Sequence, residues 1–428
     1  MLTTGQLIAL LILAWIIGGL IVRSRKPSIP VWAIMAAAST LTVITGLEPF
    51  NEMGYSIDLD VILFLIGMFS LVGLADESGL LSLIAVKLVS KARDTREVFI
   101  ATSLVLGLLS AFAVNDTVAL MGPPVVYSMA KITGTDPLPL FLVLAFSVTI
   151  GSTMTPMGNP QNLLIAIESG LTAPFIRFVT ILSIPTLVNL VLTPLIVMKM
   201  YGVGNRGLRG FIAVPEEHLR NRRDALIAGF FFTVTVILLV ANDVLELMGI
   251  RLVEHRGFIP FVTASLAYIL SSNPRKTLSR VDWGTIVFFI TMFITMDGIW
   301  RSGVIQSWLS LFMPRVPGSR VLEYIELITV SLLLSQLLSN VPFVKLFINY
   351  MKSMGYTGVE ASPWLTLAMG STIAGNLTLL GAASNIIILE VLESRYGKTI
   401  SFIEFLRTGA VITAVNILVY TPFLLLAG

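Results

Sequence analysis

Four polar clusters interrupt an otherwise apolar chain, and they hold the side chains whose types and spacing suit chemistry. The clusters cover residues 114–117, 151–162, 339–342 and 375–385. Oxygens of Asn, Ser and Thr, with backbone carbonyls freed at helix breaks, suit a small cation, whereas the N-termini of broken helices suit an anion or an oxyacid. The candidate binding residues are Asn115, Asp116, Thr117, Thr155, Gly158, Asn159, Gln161, Asn162, Ser339, Asn340, Asn376, Thr378, Gly381, Ser384 and Asn385.

Asp116 is the most informative single residue because it is an acid within an apolar stretch of the chain. A charged group inside a membrane is costly, so an ionisable residue there is a functional-site hypothesis by default. We therefore predict that Asp116 carries the proton or cation that drives transport. The alternative is a carboxylate that nearby backbone N–H groups cap permanently and that has a structural role only.

The clusters recur in step in the two halves of the chain. Residues 57–79 align with residues 281–303 at a shift of 224, and the same shift places Asn115-Asp116 on Ser339-Asn340. Paired breaks of this kind are the best sequence indication of a transporter's binding site. Small-residue packing between helices is the alternative, and it explains one cluster more easily than four paired ones. A shift of 223 pairs a further set, in order: Thr155, Gly158 and Asn162 with Thr378, Gly381 and Asn385.

The composition places the chain in a lipid bilayer. Hydrophobic residues make up 55% of the 428 residues and charged residues only 12%, with a mean hydropathy of +0.89. Soluble domains carry about 25% charged residues, so this chain lacks the polar surface that water requires. In lipid the backbone must satisfy its own hydrogen bonds, and apolar stretches of about 20 residues therefore predict membrane-crossing helices.

Residue usage argues against an enzyme. The chain has no cysteine and only two histidines, His218 and His255, both in polar loops. These counts exclude disulfides and thiolate chemistry and leave too few histidines for a catalytic triad or a histidine metal site. We expect no resident cofactor or metal, with H⁺ or Na⁺ as the coupling ion and Na⁺ binding only transiently at the clusters. The net charge of +3 reports membrane orientation rather than nucleic-acid binding.

The hydropathy pattern predicts an all-α integral membrane protein with about ten transmembrane helices. They form two repeats, each with a re-entrant hairpin and a discontinuous helix, and an interfacial amphipathic helix is expected near 79–93. Interrupted helices are expected near 138–169 and 362–392. The predicted organisation is repeat 1 at 1–200 (scaffold 6–47, transport elements 58–200, hairpin 97–131), a linker at 201–223, and repeat 2 at 224–428 (scaffold 224–271, transport elements 283–428, hairpin 321–353).

The distribution of basic residues predicts the orientation. Five crossings in each repeat is an odd number, so the two repeats insert with opposite topology. Loops on one side hold nineteen Lys and Arg residues, and loops on the other side hold seven, Lys345 included. The positive-inside rule then places the linker in the cytoplasm and both termini outside, in the inner membrane of a prokaryote. The first hairpin opens inward and the second outward, so their tips meet near mid-membrane.

Charged residues outside the clusters are expected at surfaces. Glu168 and Asp297 are expected at the membrane interface, and Asp76-Glu77 at a helix end. No Lys or Arg falls within the four clusters. A multiply charged anion would therefore need bound cations or helix dipoles for neutralisation, and this favours a weakly acidic substrate.

At these clusters the chain resembles the arsenite permease and NhaD sodium–proton antiporter branch of the ion transporter superfamily. The resemblance covers nearly the whole chain and lies in residues 76–79, 115–116, 158–162 and 376–385. Residues 158–162, Gly-Asn-Pro-Gln-Asn, are most similar to bacterial anion permeases and plant silicic-acid efflux transporters. Dicarboxylate–sodium symporters are more distant, because only Ser339-Asn340 keeps their Ser-Asn-Thr hairpin tips and Asp116 departs from them.

The resemblance implies proton-coupled export of a small inorganic oxyacid or oxyanion, such as arsenite, antimonite or silicic acid. It further implies an elevator motion of the hairpins and broken helices against a scaffold, in a homodimer. The alternatives are a sodium–proton antiporter and sodium-coupled uptake of a di- or tricarboxylate. A channel-like pore is a remaining alternative of a different class.

Overall fold

The computed structural model describes residues 2–25, 29–89, 91–208, 219–250, 252–312, 319–379 and 381–427. Within these ranges the regular structure is helical apart from one isolated β-bridge between Asp94 and Gly207, and the prediction of an all-α fold is confirmed. Several residues used in the predictions lie outside the described ranges: Lys26, Ser90, residues 209–218 of the linker with Arg209 and His218, Arg251, Met313, Arg315 and Leu380.

The described part of the first half of the chain folds into ten helices. The final helix of this half continues without a break through its two internal prolines, Pro185 and Pro194. In chain order they are α1 (Thr4–Arg25), α2 (Val31–Ile44), α3 (Met53–Ser56), α4 (Leu59–Glu77), α5 (Leu80–Val89), α6 (Thr95–Ala113), α7 (Asn115–Thr133), α8 (Pro137–Ser152), α9 (Pro160–Glu168) and α10 (Pro174–Met200).

The described part of the second half repeats this order helix by helix. A short 3₁₀ turn at Ala374–Asn376 continues the first piece of its interrupted helix. The helices are α11 (Arg222–Leu247), α12 (Phe258–Leu270), α13 (Pro274–Ser279), α14 (Trp283–Arg301), α15 (Val304–Phe312), α16 (Arg320–Leu338), α17 (Asn340–Ser353), α18 (Ala361–Ile373), α19 (Ala383–Tyr396) and α20 (Phe402–Leu426).

Eight helices in the described ranges are long and apolar enough to cross a membrane: α1, α4, α6, α10, α11, α14, α16 and α20. The first arms of both hairpins, α6 and α16, are among them. Each has 19 residues, or about 28 Å at 1.5 Å per residue, close to the thickness of the hydrocarbon layer. Helices α2, α8 and α12 are apolar but shorter. Length alone therefore does not separate a crossing helix from a hairpin arm in this fold.

The two halves are interlocked rather than placed side by side. Helix α6 packs on α8 and α16 packs on α18, within their own halves. The second arm of each hairpin also packs on the other half, with α7 against α19 and α17 against α9. Helices α2 and α12 likewise pack on α14 and α4 of the opposite half. Burial is deepest in α8, where every residue from Pro139 to Ser152 is buried, and in α18, where Pro363 to Ile373 are buried.

The segment predicted as an interfacial helix forms α5, which ends at Val89. It has one buried face, with Leu81 and Ala85 inside, and Lys87 is exposed. The loop that follows is tied to the segment after α10, because Thr95 donates its N–H to the Arg206 carbonyl over 3.0 Å. The base of the first hairpin is thus anchored to the start of the predicted linker.

Candidate transport site

The tip of the first hairpin is one residue, Val114, which joins α6 to α7 with a φ of 62°. The next residue, Asn115, donates its backbone N–H to the Gly158 carbonyl over 2.9 Å. The Asn115 side chain in turn accepts the Asp116 N–H at 2.9 Å. The hairpin tip is therefore held directly against the break between α8 and α9, as the clustering of polar residues predicts.

The first helix break is built around Asn162. Its side-chain nitrogen donates to the carbonyls of Ser152 at 3.1 Å, Thr153 at 3.4 Å and Thr155 at 3.2 Å. These carbonyls lie where α8 has ended, so the amide replaces the backbone donors of a continued helix. Asn159 completes the break by capping α9, since its side chain accepts the Asn162 N–H at 2.9 Å.

The second break uses the same bonds at the same spacing. The Asn385 side-chain nitrogen donates to the carbonyl of Gly375 at 2.7 Å and to that of Thr378 at 3.4 Å. Each of these residues lies 223 positions after its counterpart in the first break. The repeat in the sequence therefore reflects a repeated hydrogen-bond arrangement.

Gly158 and Gly381, the paired glycines of the two breaks, lie where neighbouring backbone leaves little room for a side chain. A Cβ at Gly158 would lie 2.6 Å from the Ser152 Cα, and a Cβ at Gly381 would lie 3.0 Å from the Gly375 oxygen. At Gly158 the chain folds back so closely on the helix end that a side chain does not fit, and at Gly381 the space is so tight that the neighbouring backbone would have to shift. The two glycines thus shape the site by their small size.

The tip of the second hairpin corrects the predicted register by one residue. Ser339 joins α16 to α17 with a φ of 69°, so it matches Val114 at a shift of 225. Asn340 then matches Asn115, and the residue equivalent to Asp116 is Val341 rather than Asn340. The shift of 224 is carried over from the alignment of residues 57–79 with 281–303, but the backbone turn, which has one residue in each hairpin, fixes the register at 225 and pairs the identical Asn115 and Asn340.

Thr372 links the two halves at the site, and its type gave no sign of this role in the sequence. Its hydroxyl donates to the Asn162 Oδ1 at 3.1 Å and accepts from the Asn159 side chain at 3.2 Å. The Gln161 side chain also approaches this hydroxyl, at 3.4 Å. The last turn of α18 is thereby bonded to the break of the other half.

Gln336 is a second residue that the sequence pattern does not reveal. It lies on α16 one turn before the tip, accepts the Thr378 hydroxyl at 2.6 Å and donates to the Ala374 carbonyl at 2.7 Å. In the first half, the Thr155 hydroxyl bonds directly to the Ala111 carbonyl of α6. Both hairpins are therefore bonded to the breaks, through a side chain in one half and through the backbone in the other.

Several candidate binding atoms are buried without a hydrogen-bond partner among the described residues. Such atoms point to a bound water, ion or solute, because buried polar groups are otherwise paired. Thr117 is half-buried beside them. The unpartnered atoms of the predicted site are Asp116 Oδ1, Asn340 Oδ1, Asn376 Oδ1, Ser384 Oγ and Asn385 Oδ1.

The charges nearest to Asp116 come from helices outside the four clusters. Arg23 of α1 and Asp282, the residue before α14, lie close enough for their charges to act on its carboxylate. Asp116 and Glu390 in turn act on the Arg23 guanidinium, whose Nε is buried without a partner. This group of interacting charges holds three acids and one base, so this side of the site has an excess of negative charge.

Lys345 and Glu168 are not where the sequence predicts them. Lys345 lies in α17 rather than in an outer loop, and its Nζ is 2.6 Å from the Glu168 Oε2. Both side chains are about nine-tenths buried, so Glu168 is not an exposed interfacial residue. The sequence pattern of α17 is amphipathic, and a lysine on the polar side of such a pattern resembles a loop residue. The sequence therefore predicts Lys345 among the basic residues of the outer loops. Without Lys345 the outer loops hold six basic residues, seven less one.

Asp297 lies at a polar helix end. Its carboxylate accepts from Arg301 at 3.1 Å and from the Ser56 hydroxyl at 3.1 Å. Glu48, in the loop after α2, pairs with the same arginine at 3.1 Å. Burial raises the pKa of Glu48 above its usual range, with the Ser56 hydrogen bond and Arg301 acting in the opposite direction. Among the described residues, no three Asp, Glu or His side chains are grouped as a metal site.

Comparison with known proteins agrees with this arrangement. The sequence profile of the family described as citrate transporter (CitMHS) matches residues 8–374. The chain belongs to the citrate transporter family. An uncharacterized transporter of Mycobacterium tuberculosis strain H37Rv is 30% identical over 394 residues, which is 89% of each chain. The silicon efflux transporter LSI3 of Oryza sativa is 26% identical and covers 85% of this chain and 86% of its own.

A solved structure shares the fold. The structure of MtrF from Neisseria gonorrhoeae, of a class of antimetabolite efflux pumps, has a TM-score of 0.60 at 13% identity. The match covers 89% of this chain and 81% of that one. As a member of the citrate transporter family with eight candidate spans, the protein is an integral membrane protein and a secondary transporter. It belongs to the ion transporter superfamily, as the resemblance implies.

Proposed function

We propose that the protein exports a small, weakly acidic inorganic solute in exchange for protons, with Asp116 as the coupling residue. The observation that carries this proposal is the Asp116 Oδ1, which is buried at a hairpin tip without a hydrogen-bond partner. A carboxylate with a permanent structural role would have its oxygens capped, and this one has a free oxygen beside the helix break. A free, buried acid is the group that a proton-coupled carrier requires.

The charge near the site favours a neutral or weakly ionised solute. Asp116 and Glu390 act on the single positive charge of Arg23, and Asp282 adds a further negative charge that acts on Asp116. The excess negative charge near Asp116 would repel a tricarboxylate unless that solute carried its own bound cations. Arsenite, antimonite and silicic acid are largely uncharged near neutral pH, so they meet no such barrier. The silicon efflux activity named for the Oryza sativa relative supports the same class of solute.

The proposed mechanism is an elevator-type alternation of access. The hairpins and broken helices are bonded to one another through Thr372, Gln336 and the Asn115 N–H, so they suit movement as one body. We place the linker in the cytoplasm and both termini outside, in a homodimer without a resident cofactor. The scaffold in this proposal comprises helices α1, α2, α11 and α12.

A sodium-coupled mechanism is the second candidate. It is favoured by the unpartnered oxygens of Asn340, Ser384 and Asn385 around the second break, since neutral oxygens of this kind suit a sodium ion. In that case the protein would be a sodium–proton antiporter or, as the family's name suggests, a sodium-coupled di- or tricarboxylate symporter.

Purified protein in sealed liposomes tests the proposal. Proton movement is recorded while arsenite, silicic acid, succinate, citrate and sodium chloride are added in turn. We expect a proton flux with an oxyacid and at least a tenfold smaller flux for Asp116→Asn, because one proton carrier is lost. An Asp116→Asn variant with normal pH-dependent transport would contradict the proposal. A flux with sodium chloride alone would establish the antiporter instead.

A further inference from the structure

A buried ion pair joins the second hairpin to the broken helix of the other half. The Lys345 Nζ on α17 lies 2.6 Å from the Glu168 Oε2 at the end of α9, with 11% and 8% of the two side chains exposed. The same ammonium group lies 4.9 Å from the centroid of the Phe293 ring on α14. Three helices therefore meet at one lysine that the proposed function does not use.

The Glu168 carboxylate has one oxygen left for a proton. Its Oε2 pairs with Lys345, whereas its Oε1 is buried without a hydrogen-bond partner among the described residues. The charged groups acting on this carboxylate are Lys345 and Lys352 of α17 and Asp58, the residue before α4. Of the other helices packed on α9, α18 has no charged residue, α4 carries Asp60 in its first turn, and α10 carries Arg177 in its first turn.

The fold itself does not need this pair. Helices α7 and α19 make the equivalent contact between the halves, and there the positions of Lys345 and Glu168 hold Leu120, which is 64% exposed, and the half-buried Val391. That contact is held instead by the stacked rings of Tyr127 and Tyr396, whose centroids are 3.7 Å apart. A buried ion pair is often no more stable than an apolar pair of the same size. Packing alone therefore gives no reason for these two charges.

We propose that Glu168 is a second proton-binding site, which serves the outer side of the membrane, and that Lys345 is its fixed counter-charge. The proposal rests on the proton coupling proposed above. A proton from the outer water binds the Glu168 Oε1, Lys345 keeps its own protons, and the ion pair becomes a hydrogen bond between a neutral acid and an ammonium group. The link between α17 and α9 is weakened by this loss of charge, so the strength of a contact within the moving body depends on the outer pH.

The test uses the variant K345M/E168Q, which removes both charges and nearly preserves the side-chain volumes. Transport by protein in liposomes of uniform orientation is measured while the outer pH changes at constant inner pH. For a site that binds one proton, the wild-type rate changes by up to about tenfold per pH unit. We expect this dependence on outer pH to be lost in K345M/E168Q, whereas the dependence on inner pH remains.

The control is D136N/K398Q, which neutralises an ion pair of 2.9 Å that is about half exposed. It is expected to keep the wild-type profile. Thermal melting confirms that each variant is folded, and the exchanged pair K345E/E168K provides a second folded variant. An unchanged outer-pH profile in folded K345M/E168Q would overturn the proposal. If Asp116→Asn also left proton movement unchanged, the proposed function itself would fail, and the two failures are thus separable.

Discussion

At the scale of single residues, Asn162 and Asn385 have the same structural role at the two helix breaks. They differ in how many of their side-chain hydrogen-bonding groups remain free. The Asn162 amide is fully used, since its nitrogen binds three carbonyls and its oxygen accepts from Thr372. The Asn385 nitrogen binds two carbonyls, and its oxygen is unpartnered. The second break therefore offers a free oxygen to a ligand where the first does not. Similar motifs in the two halves need not have similar functions.

This difference gives a prediction for stability. Asn162→Ala leaves the Thr153 and Thr155 carbonyls without a side-chain donor and the Thr372 hydroxyl without its acceptor, whereas the Ser152 carbonyl keeps Asn159 as a donor. Each unsatisfied group costs about 1–3 kcal/mol. We expect this variant to lose more stability than Asn385→Ala, measured as the melting temperature in detergent. Asn205→Ala is the control, because that side chain is exposed, and it should melt close to wild type. Equal melting of Asn162→Ala and the control would show that the three bonds contribute little.

At the scale of elements, each hairpin turns through one residue with positive φ that is not glycine. Val114 and Ser339 hold this conformation at φ of 62° and 69°, respectively. Such a backbone costs roughly 1–3 kcal/mol and is kept only where surrounding contacts impose it. Here the bond from Asn115 to Gly158 fixes the first tip against the break. The strain lies at the point where the hairpin meets the proposed solute.

Substitution by glycine separates the strain from the packing. We expect Ser339→Gly to raise stability by about 1 kcal/mol, since glycine adopts positive φ at little steric cost. Ser339→Ala keeps the Cβ and should give no gain, which makes it the matched control. Val114→Gly should gain less or lose, because it removes a side chain that is 5% exposed, whose burial contributes roughly 1.5–3 kcal/mol. Equal melting temperatures for Ser339→Gly and Ser339→Ala would contradict a strained tip.

At the scale of the whole molecule, the halves exchange contacts, so neither half buries its own apolar surface alone. Helices α7, α17, α2 and α12 all pack on the opposite half. This interlock brings the two hairpin tips and the two breaks into one region. It also means that the orientation of one half fixes the orientation of the other.

The predicted orientation can be tested because the chain has no cysteine. Single cysteines at Tyr55, which is 89% exposed on α3 and predicted outside, and at Arg275, exposed on α13 and predicted inside, report the two surfaces. In intact cells a membrane-impermeant thiol reagent should label Tyr55→Cys and should label Arg275→Cys only after lysis. The reverse pattern would invert the assignment and would make Glu168 face the cytoplasm.

The sequence by itself determined the membrane class, the helix order and the four clusters. These depend on local properties: hydropathy over a helix length, glycine and proline at breaks, and the recurrence of Thr155, Gly158 and Asn162 as Thr378, Gly381 and Asn385. Such properties are read from neighbouring residues, and the structure places the predicted helices within a few residues of their expected bounds.

Only the tertiary structure decided which side chains meet. Thr372 and Gln336 are ordinary helix residues until α18 and α16 pack on the breaks, and Lys345 resembles a surface lysine until α17 packs on α9. The register of the hairpins likewise follows from the turn at Ser339 and not from the shift of 224 that aligns residues 57–79 with 281–303. The physical reason is that hydrogen bonds and ion pairs between distant segments depend on packing of both halves, which no local pattern contains.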